Sequence, residues 1–120
     1  MLNVDTHVLL YAVTGALRPR EAQLLSVHQW SISAIVFWEI AKLAQLKRIS
    51  IDLDDPDVAR VLGRLHVWPL TREVASASTR LDFRGDPADE LIAATSIVHK
   101  VPLITRDRAL RASRLVPLAG

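Results

Sequence analysis

Short apolar runs alternate with helical segments from one end of the sequence to the other, and this alternation constrains the fold more than any other feature. The runs cover residues 2–4, 30–33, 67–70 and 101–105, with a last short strand over 115–118. They lack the in-out alternation of a half-exposed strand, which predicts a sheet buried on both faces. Between them, helices are predicted over 7–13, 20–28, 34–46, 56–65, 72–81, 87–99 and 107–113. Strand and helix in repeating order define the class as α/β: a short parallel β-sheet of four to five strands, joined by right-handed crossovers and covered by helices on both faces. With 120 residues, no linker and no internal repeat, one domain over residues 1–120 is expected.

Local signals set the boundaries. Ser33 and Thr71 are placed to cap the helices after them, and Pro56 and Pro87 occupy first-turn positions where a missing N–H costs nothing. In the helix over 34–46, Ile35, Trp38, Leu43 and Leu46 are expected among the buried positions. In the one over 20–28, Ala22, Leu24, Leu25 and Val27 form the apolar side. Half of the residues are hydrophobic and the mean hydropathy is +0.21, more than a small domain needs to fill its interior. Part of the apolar surface is therefore expected to meet a partner, and Trp30, Phe37, Trp38 and Leu46 are candidates for either core or interface.

The chain has no cysteine. Disulfide frameworks, thiolate nucleophiles and thiolate zinc sites are excluded together, and a reducing, cytoplasmic setting is expected. The opening Met1-Leu2-Asn3-Val4-Asp5 has no basic region followed by a cleavable apolar one, and no apolar run reaches spanning length, so no membrane association is expected. His7, His28, His66 and His99 are scattered without ligand-like spacing and read as surface or core residues. The net charge is only +2, with a pI of about 9.5. Residues 105–114 hold Arg106, Arg108, Arg111 and Arg114 against one acid, Asp107, which suits either a polyanion or a solvated helix face.

The acids carry the chemistry. Asp5 ends the first strand, Asp107 follows the fourth by one residue, and Asp89 lies in the first turn of a helix whose preceding loop faces the same rim. Ligand sites of open α/β sheets lie beyond the carboxyl ends of the strands. Glu39 stands inside Ile35-Val36-Phe37-Trp38-Glu39-Ile40-Ala41, a stretch otherwise built for burial, where a carboxylate is costly without a positive partner. Singly, each acid has a plainer reading: Asp5 and Asp107 as caps, Asp89 and Glu90 as complements to a helix dipole, Glu39 paired with Lys42. Together, four acids converging on one rim repel one another, and a hard divalent cation resolves that repulsion. Oxygen-only ligands favour Mg or Mn over zinc. With no Cys nucleophile and no Ser-His pair, phosphodiester hydrolysis is the chemistry that uses such a cluster.

Val4-Asp5-Thr6-His7-Val8-Leu9-Leu10-Tyr11 is similar to the opening of PIN domains of the VapC toxin type. Ser33-Ala34-Ile35-Val36-Phe37-Trp38-Glu39-Ile40-Ala41 resembles the second acidic motif of that family. Asp86-Pro87-Ala88-Asp89, continuing through Leu91-Ile92-Ala93-Ala94-Thr95, resembles the third, and Pro102-Leu103-Ile104-Thr105-Arg106-Asp107 the fourth. The blocks stand in the family's order and span residues 4–107. The resemblance implies a metal-binding catalytic quartet of Asp5, Glu39, Asp89 and Asp107, hydroxyl support from Thr6 and Thr105, Mg2+ or Mn2+ dependence, and endoribonuclease activity. It implies a toxin of a toxin–antitoxin pair, a cognate antitoxin whose apolar helix covers the toxin, and a homodimer. The third block departs from the pattern, with Glu90 where a basic residue often follows the second Asp. Asp86 is expected as a cap supporting the site, and Glu90 beside the site or facing solvent.

Arg18, Arg20, Lys47, Arg48, Arg106 and Arg108 are candidates for RNA phosphate contact. Two other readings stay open: a catalytically silent PIN-like binding module, and a nuclease acting on DNA, since metal-assisted hydrolysis does not itself require a 2′-OH. A receiver-like phosphoacceptor is excluded by motif. It needs an acid pair after the first strand and a Lys near the last, whereas Asp5 stands alone and Arg106 precedes Asp107.

Overall fold

Each strand is followed by a crossover long enough to return the chain to the same end of the sheet, so all four strands are parallel. The computed structural model describes residues 1–120 and places β1 (Leu2–Val4), β2 (Trp30–Ser33), β3 (His66–Trp68) and β4 (Leu103–Ile104) in the order β3-β2-β1-β4. The helices are α1 (Thr6–Thr14), α2 (Pro19–Val27), α3 (Ile35–Gln45), α4 (Pro56–Leu62), α5 (Arg72–Ala77), α6 (Pro87–His99) and α7 (Arg108–Ala112).

Side chains alternate across a strand, so Leu2 and Val4 face one side of β1 and Asn3 the other, yet all three are buried. Asn3 Nδ2 donates to Ser96 Oγ at 2.9 Å and to the Ile92 carbonyl at 3.3 Å, which places α6 over its face. Leu2 and Val4 join Leu9, Leu25 and Leu103 in the main core. Helices thus cover both faces, as the apolar runs predict.

Several boundaries differ from expectation for local reasons. β3 starts one residue earlier and stops at Trp68, before Pro69, which has no N–H for the ladder. α5 stops at Ala77, where the Ser78 and Thr79 hydroxyls donate to the Ala75 and Ser76 carbonyls at 2.6 and 2.7 Å. Residues 115–118 form no strand. Only a single parallel bridge joins Leu118 to Leu103, and Pro117 contributes its carbonyl alone. Thr71 caps α5 through Val74 N–H, whereas Ala34 holds the cap position of α3 and Ser33 Oγ only accepts from Ile35 N–H at 3.3 Å.

The buried stripe of α3 runs through Val36 and Ile40, and Trp38, about 200° round the helix from Val36, points outward. Trp38 and Leu46, expected among the buried residues, are 53% and 60% exposed, and Val27 is 73% exposed. Phe37 and Trp30 are half-buried against the core. No helix is long and apolar enough to cross a membrane.

The strand order fixes where a site can form. From β1 the chain moves to β2 and β3 on one side, then returns to place β4 on the other, so the direction of winding reverses between β1 and β4. The crevice outside the carboxyl ends of those two strands is the usual binding position of such a sheet.

Candidate active site

Asp5 and Asp107 flank that crevice. The Asp5 N–H donates to the Ile104 carbonyl at 3.1 Å, closing the end of the β1–β4 pairing, and its side chain caps α1. Asp5 Oδ1 accepts from Thr6 N–H at 2.8 Å, and Oδ2 accepts from Thr105 Oγ1 at 2.6 Å. The same Thr105 hydroxyl oxygen accepts from Asp107 N–H at 3.0 Å, and Asp107 Oδ1 caps α7 by accepting from Leu110 N–H at 3.0 Å. One buried hydroxyl therefore ties the two strand ends together. Across the crevice, the buried Thr6 hydroxyl donates to Glu39 Oε1 on α3.

Asp89 differs from the other three. It is half-buried in the first turn of α6, and no hydrogen bond relieves its carboxylate. Burial, then the charges of Asp5, Glu39, Asp107 and Asp86 in that order, push its carboxyl from an ordinary 3.8 up to about 7. Burial likewise raises Asp5, against the pull of its bonds from Thr105 and Thr6, and raises Glu39 against its bond from Thr6. Asp86 holds the first cap position of α6 but its side chain makes no cap bond. Contrary to the expected capping role, it acts on the cluster through its charge, raising Glu39 and Asp89.

The structure thus brings Asp5, Glu39, Asp89, Asp107 and Asp86 within electrostatic reach of one another. No three acidic or imidazole side chains form a ready-made cage. Donor chemistry nevertheless fits a hard divalent ion: every group is a carboxylate, Asp89 has both oxygens free of donors, and no Lys or Arg forms an ion pair with the cluster, the one opposing charge being that of His7 on Asp5 and Glu39.

Arg106, expected at phosphate, is held elsewhere. Its Nε donates to Glu21 Oε2 at 2.8 Å and its Nη2 to Glu21 Oε1 at 2.7 Å, with a further bond to the Ala16 carbonyl at 3.1 Å. The guanidinium lies 3.8 Å over the Tyr11 ring. This clamp pins the segment between Thr105 and Asp107 to α1 and α2. Its anchor, Glu21, went unassigned in the sequence reading, because the ion pair spans 85 residues. The one local signal is Glu21 three residues after Arg18, whose N–H it accepts at 2.7 Å.

Arg106, then burial acting in the opposite sense, set the Glu21 carboxyl below its ordinary 4.5. A carboxyl depressed in the folded state adds stability above its unfolded value, and that stability disappears as pH falls through the folded one. Glu21→Gln is therefore expected to lower stability at pH 7 and to leave it unchanged at pH 3. Urea unfolding at the two pH values checks this, and an equal loss at both would mean that the pair contributes no charge interaction.

Arg18 and Arg20 line a cleft of about 260 Å³ beside Thr105 and Arg106. Arg108 opens α7 on the surface, and Lys47 and Arg48 follow the far end of α3, whose last residue Gln45 is about 9 Å along the axis from Glu39.

A parallel sheet with acids gathered at its switch point, between Asp5 after the first strand and Asp107 after the last, is the arrangement of a PIN domain. The PIN domain family matches residues 3–114, and the chain belongs to that family. It is 37% identical over 87 residues to Ribonuclease VapC22 of Mycobacterium tuberculosis, covering 70% of this chain and 67% of that protein. Its fold is similar to VapBC2 from Rickettsia felis bound to a promoter DNA fragment, with a TM-score of 0.73, 17% identity, and 99% and 98% of the two chains covered. It is also similar to FitAcB from Neisseria gonorrhoeae, with a TM-score of 0.72, 20% identity, and 100% and 97% covered.

Proposed function

We propose that this PIN domain is a Mg2+- or Mn2+-dependent endoribonuclease and the toxin of a toxin–antitoxin pair. The observation that carries the proposal is the Asp89 carboxyl, pushed up to about 7 by burial and four other acids with no hydrogen bond to relieve it. A cluster so unfavourable to itself is stabilised by a bound cation. Asp5, Glu39, Asp89 and Asp107 would hold the ion. The chemistry such an ion supplies is activation of water for in-line attack on phosphorus and neutralisation of the phosphate charge.

The chain's own residues do the rest. Thr105 and Thr6 fix the orientation of Asp5 and Glu39, so the oxygens facing the crevice are set before substrate arrives. Asp86 adds negative charge at the rim. Arg18 and Arg20 beside the crevice are the proposed phosphate contacts, with Arg108 further out, while Arg106 acts as the clamp that holds the Thr105–Asp107 backbone. RNA is assigned by similarity to a named ribonuclease.

An antitoxin is the proposed partner, as in the toxin–antitoxin complex from Klebsiella pneumoniae that shares this fold. An apolar cleft of about 290 Å³ between α1 and α4, lined by Leu10, Val13, Val58 and Val61, suits an apolar helix. The exposed Trp38 and Leu46 suit the same partner or a second copy in a homodimer.

The competing reading, a silent binding module, draws on the lack of a ready-made metal cage. Incubating purified protein with pools of structured RNA and of single-stranded DNA, with Mn2+ or with chelator, separates the readings. Metal-dependent cutting of RNA is expected, reduced about 10³-fold in Asp5→Asn, a loss typical for removal of a metal ligand. Cutting of DNA alone would reassign the substrate, and no cutting by folded, metal-loaded protein would favour the binding module.

A further inference from the structure

Beside the acidic crevice lies a second cleft, of about 470 Å³, between the end of α5 and the start of α6. Phe83, Arg84, Gly85 and Glu90 line it together with Ser78 and Thr79. Glu90 lies in the first turn of α6, directly after Asp89. Its half-buried carboxylate has no ion-pair partner, and Arg84, in the same cleft, has none either. Opposite charges that share a cleft without pairing are both available to a ligand.

The cleft is joined to the metal-binding crevice through Gly85. A Cβ built there would stand 3.8 Å from Phe83 Cε2, 3.8 Å from Asp89 Cβ and 4.0 Å from Asp89 Oδ2. Gly85 thus stands within van der Waals reach of both the aromatic ring and the proposed metal ligand, and Glu90 is the residue next to Asp89. A nucleotide whose phosphate sat at Asp89 would carry its base into this cleft.

The lining groups offer an aromatic ring, a carboxylate and a guanidinium, a set whose chemistry one base matches. Bases freed from pairing are recognised by stacking on an aromatic ring and by hydrogen bonds to their Watson–Crick and Hoogsteen edges. A carboxylate offers two acceptors side by side, and guanine alone presents two adjacent donors, N1–H and the N2 amino group. Adenine and cytosine pair one donor with an acceptor there, and uracil flanks its single donor with carbonyls. Guanine also presents O6 and N7 as acceptors, the groups an arginine takes in bidentate fashion. Phe83, half-buried against the core, offers the side of its ring that lines the cleft as the stacking surface.

We propose that this cleft is a guanine-binding subsite, with Phe83 stacking the base, Glu90 accepting from its Watson–Crick edge and Arg84 donating to O6 and N7, so that cleavage falls beside an unpaired guanosine. This rests on the ribonuclease reading, and the test separates the two.

Nucleoside monophosphates bind without being substrates for phosphodiester cleavage, and their phosphate is common to all, so the differences between their affinities report the cleft. In metal-free protein GMP is expected to bind about tenfold more tightly than AMP, CMP or UMP, and IMP, which keeps O6, N7 and N1–H but lacks the N2 amino group, to fall between GMP and AMP. Glu90→Gln should bring GMP to within about twofold of AMP, and Phe83→Leu should weaken all four nucleotides together. Circular dichroism confirms that each variant is folded. Equal affinity for GMP and AMP, or a guanine preference that survives Glu90→Gln, overturns the proposal.

Mapping the ends of cleaved RNA supplies the second arm. Cuts enriched at guanosine in the native protein and spread evenly in Glu90→Gln support the subsite. Cuts without base preference overturn the subsite and leave the ribonuclease standing. GMP-selective binding with no cutting overturns the ribonuclease and leaves the subsite.

Discussion

Asp89→Asn is expected to do two opposite things: to reduce metal-dependent cleavage about 10³-fold or more, and to make the metal-free protein more stable at pH 7.5 by about 1–2 kcal/mol. The stabilisation follows from the sign of the shift. The Asp89 carboxyl is raised from 3.8 to about 7 in the folded protein, so between those values the folded state binds the proton and the unfolded state does not. Stability therefore falls as pH rises from about 4 through 7, and the destabilisation is complete above 7. A shift of this size would amount to about 4 kcal/mol for a fully buried group. Asp89 is half-exposed, and solvent screening reduces the figure to the range stated.

Asparagine keeps the shape and removes the charge, so the variant loses this slope. Urea unfolding in chelator at pH 5 and pH 7.5 measures it: the native protein should be the more stable at pH 5, and the variant should show a clearly smaller difference, the remainder belonging to the raised Asp5 and Glu39. Adding Mn2+ at pH 7.5 should raise the native midpoint and leave that of the variant almost unmoved, because an ion that binds only the folded state stabilises it by mass action. A variant that is less stable than the native protein in chelator would mean that Asp89 is structural. The acids would then not be a cation site.

The parts of the fold that the sequence predicts well are those with redundant local signals. α6 runs from Pro87 to His99 as read, because a first-turn proline and acidic first turn define one end and an apolar face fills the rest. Asp5 directly follows β1, Asp107 follows β4 by two residues, and each caps the helix after it, so their placement at the rim follows from the strand ends and the caps. Their service as metal ligands is a separate question, carried by the experiments above. What sequence could not supply is the phase of a helix apolar on most sides. In α3 the choice of Val36 and Ile40 over Trp38 as the buried stripe depends on what α3 packs against, and no local pattern distinguishes them.

Arg106 shows the second limit. Among four arginines within nine residues it resembles a solvent-facing or phosphate-binding cation, yet it is the one that meets Glu21, far away in the chain, and Tyr11 beneath it. Asp86 shows a third. Its position before Pro87 is that of a cap, but its side chain makes no cap bond and its charge acts on Asp89 instead. In both residues the local motif is real, and tertiary placement decides what the side chain does.

Thr105→Val is expected to weaken Mn2+ binding about 10- to 100-fold and to cost about 2 kcal/mol of stability, although Thr105 is not itself a proposed ligand. Its hydroxyl is the only atom that touches both strand-end acids: it donates to Asp5 Oδ2 at 2.6 Å and accepts from Asp107 N–H at 3.0 Å. Valine has the same shape, and the position is only 3% exposed, so neither a cavity nor an entering water substitutes for the lost bonds. Asp5 then keeps its bond from Thr6 N–H but can turn about it, and the Asp107 N–H is left without an acceptor. Thr105→Ser restores the hydroxyl and should recover metal affinity to within about threefold, with part of the stability still missing for the lost methyl. Calorimetric titration with Mn2+ beside urea unfolding separates the two effects. Full metal affinity in Thr105→Val would show that Asp5 and Asp107 are positioned by the strand ends alone. Equal failure of valine and serine would assign the role of Thr105 to packing.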